Sequence, residues 1–251
     1  NDSNDAEAIC TAVQQPNMRF VPTKSVEQQD IQAVHRARQR LVNHRTALIS
    51  QMRGLLLERG VAIAKSASRA QRLIPQIISD PTVDITDMTR EIIGTLFDFL
   101  LQINEKIKGF DVKINRIFRE SSVCQRIAKI SGIGPKTATA IVAAVGDGCD
   151  FKNGRHMAAW MGLVPRQHSS GDRQVLMGIS KRGDKNLRTL LVHGGRAVVR
   201  TAVKKNDTRS QWVNQLRERR GYNRAAVAVA NKNARIIWAL LRHGDEYHAA
   251  I

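Results

Sequence analysis

Apolar residues recur along most of the chain at helical spacing. Ala6, Ile9, Ala12 and Val13 fall on one side of a helix over 1–14, and Pro16 ends it. The stretch "NMRFVPTK" then reads as an extended connector. From about Val26 to Leu57, Val34, Leu41, Leu48 and Leu55 repeat every seven residues. Ile31 and Met52 hold companion positions, and Arg38 and Arg45 interrupt the seam. Gly60 closes this segment, and the stretch holding Pro75 and Pro81 reads as a loop. A second long helix is predicted from about Ile85 to Glu120, where Ile92, Leu96, Phe99, Ile103, Ile107, Phe110, Ile114 and Ile117 step by three and four. Two long helices around a loop predict an antiparallel hairpin or coiled coil, although an ordinary bundle core carries the same pattern. Either way the middle segment reads as a spacer or dimerisation element. Residues 121–251 read as shorter helices broken by glycine, with one strand-like interruption at "RQVLMGIS". The expected fold is mainly α.

Composition adds a direction. A chain of 251 residues that is 42% hydrophobic can bury a core, in one large or two modest domains. It has no apolar run of membrane-spanning length and no signal-peptide pattern, so no membrane partner is expected. Cys10, Cys124 and Cys149 are far apart and odd in number, which suits a reducing compartment and implies no zinc site. The net charge of +18 is uneven. Residues 1–151 carry 20 Lys+Arg against 16 Asp+Glu, whereas residues 152–251 carry 20 against 6. A field of that size favours a polyanion, and nucleic acid ahead of a membrane surface because aromatics are few.

Three stretches carry candidate chemistry. In "IAKISGIGPKTATAIVAAVG" an apolar helix ends at Ser131 and a second starts at Pro135, where a proline costs no hydrogen bond. Gly132 and Gly134 allow close backbone approach. The free N–H groups of the new helix, with Lys136, then make a phosphate site that looks like the helix-hairpin-helix motif of DNA-repair and recombination proteins. A tight turn between packed helices is the plainer alternative. In "NDSNDAEAI", Asp2 and Asp5 are three apart and share a helix face, as carboxylates holding Mg²⁺ do, and as a solvated helix start also does. In "PRQHSSGDRQVLMGISKRGD", Ser169 and Ser170 precede Gly171 among Arg166, Arg173, Lys181, Arg182 and, further on, Arg188. Cations that neutralise a phosphate favour attack by a hydroxyl. Spacing alone favours the blander reading, a basic contact loop whose serines only hydrogen-bond phosphate. There is no GxSxG elbow and no Ser-His-Asp spacing, so hydrolase chemistry is not suggested.

The order of motifs resembles a known family. "NDSNDAEAI", "RFVPTKSVEQQ", "ISGIGPKTATAIVAAVG", "FKNGRHMAAWMGLVPRQHSSGDRQVLMGISKRGDKNLRTLLVHGGRAVV" and "NKNARIIWALL" together resemble the bacterial insertion-sequence transposases of the DEDD type, related to the Piv and MooV DNA invertases. The resemblance covers essentially the whole chain. It implies a RuvC-like (RNase H-like) first domain whose Asp-Glu-Asp-Asp set binds Mg²⁺, with Asp2 and Asp5 matching the last two acids. The first Asp and the Glu lie on strands upstream of the pair, and the chain opens after them. It is therefore expected to be a piece lacking most of that domain, poorly active alone. The implied parts are 1–20 as the domain's remnant helix, 24–120 as a helical hairpin or coiled-coil linker, and 121–251 as a helical transposase domain. In the family's Ser-Gly position stands Ser170, which the resemblance makes a nucleophile that forms a transient phosphoserine bond with DNA. Gly132, Gly134, Lys136, Arg166, Arg173, Lys181, Arg182 and Arg188 are then the expected nucleic-acid contacts. Members also resemble RNA-guided recombinases, so a guide RNA joins DNA as a candidate partner. The protein is expected to form homo-oligomers and to be cytoplasmic, associated with the nucleoid. A non-enzymatic helix-hairpin-helix binding protein and a RuvC-like metal nuclease are the alternatives.

Overall fold

The computed structural model describes residues 1–18, 23–63, 66–171 and 173–248. Among these residues the order is α1 (Asp2–Gln14), α2 (Val26–Leu57), α3 (Ala67–Ser79), α4 (Asp87–Glu120), α5 (Ser122–Ala128), α6 (Pro135–Val145), α7 (Gly154–Trp160), β1 (Pro165–Ser170), β2 (Arg173–Ile179), α8 (Lys185–Ala202), α9 (Thr208–Arg220) and α10 (Tyr222–His243). The protein is mainly helical, as its periodicity predicts, with one two-stranded antiparallel sheet. No helix among the described residues is long and apolar enough to cross a membrane. The connector expected over Asn17–Lys24 lies in part outside the described residues.

Caps explain where the two long helices begin. Ser25 and Gln28 exchange side-chain and backbone hydrogen bonds at the start of α2, and the Thr86 hydroxyl accepts from the Thr89 N–H at the start of α4. The helices run antiparallel. Arg38 near the start of α2 bonds Asp111 near the end of α4, whereas Met52 and Leu56 share a core with Ile93 and Leu100. The buried line matches the expected one at Ile107, Ile114 and Met52 and is displaced by one residue elsewhere. On α4 it is Ile93, Leu100, Ile107 and Ile114, while Ile92 and Phe99 are 45% and 52% exposed. On α2 it is His35, Ile49, Met52 and Leu56, with Val34, Leu41, Leu48 and Leu55 only half-buried. Both candidate lines are apolar on α4, so spacing alone does not choose between them.

The loop expected around Pro75 is instead α3. Ala70, Leu73, Ile74 and Ile77 form an apolar stripe that covers the far end of α2 and α4. Burial of that stripe outweighs the one hydrogen bond that Pro75, exposed on the other side, cannot donate. Pro81 does lie beyond the helix.

The second half packs around α10. Its main core joins α5, α6, α7, α8 and α10 through Ile127, Ile141, Met157, Leu191, Ala234 and Ile237. A smaller core joins α8, α9 and α10 through Val199, Val213 and Val229. Glycine does not break α8 as the sequence suggests. A Cβ on Gly194 would lie 1.9 Å from the Gly132 oxygen, and one on Gly195 2.3 Å from the Ala226 oxygen. Here glycine lets backbones touch inside an intact helix.

The two halves meet at α6. Gln32 donates to the Ala143 carbonyl at 2.8 Å, and His35 Nε2 lies 3.0 Å from Thr139 Oγ1. Asp111 receives both Arg38 at 2.6 Å and Lys136 at 2.8 Å.

Candidate functional site

The serine pair lies not on a free loop but in a hairpin. β1 and β2 are antiparallel, and a turn containing Gly171 at φ +54° joins them. Ser170 stands opposite Arg173, Ser169 opposite Gln174, His168 opposite Val175 and Gln167 opposite Leu176. Directly opposed side chains leave the same face of a sheet, and successive ones alternate. One face near the tip therefore carries Ser170, Arg173, His168 and Val175. The other carries Ser169, Gln174, Gln167 and Leu176. The two serines differ chemically for that reason: one has a guanidinium across from it, the other an amide.

The two strands are exposed along nearly their whole length, and the hydrogen bonds that tie them to the rest of the described residues lie at the foot. There the Ser180 N–H donates to the Val164 carbonyl at 2.8 Å and the Lys181 N–H to the Gly162 carbonyl at 3.2 Å. A Cβ on Gly162 would lie 2.1 Å from the Arg182 oxygen, and one on Gly183 1.9 Å from the Trp160 oxygen. Both also have positive φ, and with backbone oxygens this close no side chain fits at either position. Arg188 Nη1 donates to the carbonyls of Met161, Arg182 and Gly183 at 3.2 to 3.5 Å, tying the foot to α8. Lys181 and Arg182 are exposed at the same level. Of the five expected cations, the fold brings Arg173 next to Ser170 and leaves Arg166 on the same strand. The other three stand at the foot, roughly 15–20 Å away at ~3.4 Å of rise per residue.

The turn between α5 and α6 is anchored from within. α5 ends at Ala128, three residues before the expected Ser131, because the chain turns early through Lys129–Ile133. A Cβ on Gly132 would lie 2.8 Å from the Gly194 oxygen, so its close approach is to α8. The Ser131 carbonyl accepts from Asn233 Nδ2 at 3.0 Å. Gly134 caps α6 with open space around it. Lys136 is ion-paired with Asp111. Burial alone would raise the pKa of Asp111, but hydrogen bonds and charge from Arg38 and Lys136 prevail and lower it.

Asp2 and Asp5 share the first turn of α1, a helix with no buried residue. No third His, Cys, Asp or Glu joins them among the described residues. Two exposed carboxylates do not by themselves make a magnesium site, which gathers several oxygen ligands.

A groove of about 1190 Å³ opens between β2, the start of α7, Trp212 of α9 and one side of α10. Arg155, Arg224, Lys232 and Arg235 line it, with no Asp or Glu. None of the four is paired with a carboxylate among the described residues. Lys232 Nζ lies 4.4 Å from the centre of the Trp212 ring. Motif reading misses these residues because they come from separate elements. Their one trace in the sequence is the spacing of Arg224, Lys232 and Arg235 along a single helix side.

Residues 124–211 match the family model described as Transposase IS116/IS110/IS902 family. The chain is 47% identical over 247 residues to the transposase for insertion sequence element IS1111A of Coxiella burnetii, across 98% of this chain and 68% of that one. It is 47% identical over 242 residues to a probable family 20 transposase of Pseudomonas aeruginosa, across 96% and 72% of the two chains. A shorter similarity, 43% over 68 residues, links it to the pilin gene-inverting protein of Moraxella bovis, across 26% and 20%.

Proposed function

Because the chain belongs to the IS116/IS110/IS902 family of transposases, we propose that it cuts and rejoins DNA strands through the hydroxyl of Ser170. The observation that carries this assignment is the hairpin register, which sets Arg173 across from Ser170 and Gln174 across from Ser169. A guanidinium beside the hydroxyl binds the phosphate under attack and stabilises the charge that develops on its oxygens. Ser170 Oγ attacks phosphorus and one bridging P–O bond breaks. The serine proton ends on the departing deoxyribose oxygen. The hydroxyl of an incoming strand then attacks the phosphoserine, restoring Ser170 and closing the new strand. Each step exchanges one ester for another, so neither water nor a nucleotide cofactor is consumed.

The remaining parts have supporting roles in this reading. The basic second half binds backbone phosphates, with Lys181 and Arg182 at the hairpin foot and the start of α6 among the contacts. A guide RNA would carry sequence recognition by base pairing while the protein reads backbone shape. Met88, Ile92 and Phe99 stand exposed down one side of α4 and would serve contact between copies. Asp2 and Asp5 enter only as two of the carboxylates a magnesium ion needs, and no step is routed through a metal. Strand exchange is accordingly expected to need acids beyond this pair.

The test is a covalent adduct on a nicked suicide substrate, run in a protein of the relatives' length. Ser170→Ala is expected to abolish both adduct and recombination while DNA affinity changes little, because one hydroxyl adds little to many phosphate contacts. Ser169→Ala is expected to keep substantial activity. An adduct that persists in Ser170→Ala overturns the assignment.

A further inference from the structure

The groove beside the hairpin has no part in the chemistry above, and its lining is specific enough to name an occupant. Four cations and no acid select a polyanion. The floor between them is apolar and aromatic, with Val227 and Ile236 from α10, Met177 from β2, and Trp212 and Trp238. Trp238 is fixed there by donating from Nε1 to the Gly148 and Phe151 carbonyls, each at 3.2 Å. At about 1190 Å³ the groove exceeds the ~300–1,000 Å³ typical of small-ligand pockets.

We propose that this groove holds an unpaired DNA strand, its phosphates on Arg155, Arg224, Lys232 and Arg235 and its bases against the apolar and aromatic floor. A duplex keeps its base faces stacked inside and offers a concave surface only phosphates, so the floor would go unused. An unpaired strand offers both charge and ring faces, and cationic grooves with aromatic platforms bind such strands. The occupant is DNA rather than RNA on the reading that Ser170 acts on DNA, and the inference rests on that reading. The same β2 strand that walls the groove at Met177–Ile179 carries Arg173 beside Ser170 at its other end. The groove thus lies along the path of a strand opened next to the cut.

Fluorescence anisotropy with labelled oligothymidine of about twenty nucleotides tests this, since each strand site spans ~4–16 nucleotides. Arg224→Glu with Lys232→Glu changes two exposed groove residues on α10. Lys204→Glu with Arg219→Glu changes the net charge equally at exposed positions outside the groove. The groove pair is expected to weaken oligothymidine binding by roughly tenfold or more, and the control pair by less than about threefold. Duplex affinity is expected to fall by a similar, small factor in both. Bound oligothymidine should also quench tryptophan emission in the unaltered protein, and Trp212→Phe should reduce the quenching. Equal losses in the two pairs, tighter binding of oligouridine than of oligothymidine, or equal competition by polyglutamate would each overturn the proposal. A Ser170-dependent adduct with no groove effect overturns the groove alone. A groove effect with no such adduct overturns the serine assignment instead.

Discussion

His35 shows how one buried side chain sets a pH response. It lies between α2 and α6, where Thr139 donates its hydroxyl proton to the Pro135 carbonyl at 2.8 Å and so is free to accept from His35 Nε2–H. Burial, then the charges of Arg38 and Lys136, lower its pKa from 6.5 to about 4. The fold thus keeps it neutral. Between pH 6.5 and 4 the unfolded chain binds a proton that the folded chain refuses, so stability is complete above that window and falls as pH drops through it. The loss amounts to roughly 2–4 kcal/mol at ~1.4 kcal/mol per unit. Urea midpoints at pH 7 and pH 4.5 should therefore differ markedly. His35→Leu should flatten the difference, because Thr139 keeps its bond to Pro135.

The hairpin and α3 each separate what a sequence shows from what packing decides. At the hairpin foot, Gly183→Ala would drive a methyl to 1.9 Å from the Trp160 oxygen, whereas Gly171→Ala at the tip meets open space. Both residues have positive φ, so each change costs about 1 kcal/mol in backbone strain. Gly183→Ala should lose a further ~2–3 kcal/mol to the clash, readable in chemical denaturation. Pro75 sits exposed inside α3, and Pro75→Ala should raise stability by about 1–3 kcal/mol by restoring a helix hydrogen bond. The long helices were legible because their apolar spacing persists over many turns. α3 was not, because a proline is a strong local signal and the burial that overrules it depends on distant residues of α2 and α4. The strand in "RQVLMGIS" was legible as a break in helical pattern. Its partner was not, since "PRQHSS" has no apolar face and takes its form from the pairing. The serine stretch stood out by composition, but the chemical difference between Ser169 and Ser170 follows from register. The groove cations are spread over α7 and α10, so no local motif could gather them.

Across the whole molecule, Asp111 is where the helical hairpin and the basic half are joined by charge. Asp111→Ala would leave Arg38 and Lys136 facing each other without a counterion. The expected cost is about 1 kcal/mol, small because the pair is partly solvated and because Gln32–Ala143 and His35–Thr139 still join the two ends, and it should be readable in chemical denaturation. On the proposed function, charge is also expected to govern DNA binding at this scale. Residues 152–251 hold 20 Lys+Arg against 6 Asp+Glu, so the logarithm of DNA affinity should fall steeply and linearly with the logarithm of salt concentration. A nearly flat dependence would show that the basic half is not the binding surface. The exposed strands carry one more consequence. Because the side chains of β1 and β2 belong to none of the hydrophobic cores, the two strands form an exchangeable element fixed by their glycine foot and Arg188. Exchanging it between relatives should yield chimeras that melt within a degree or two of their parents, leaving this tip open to change without repacking of the scaffold.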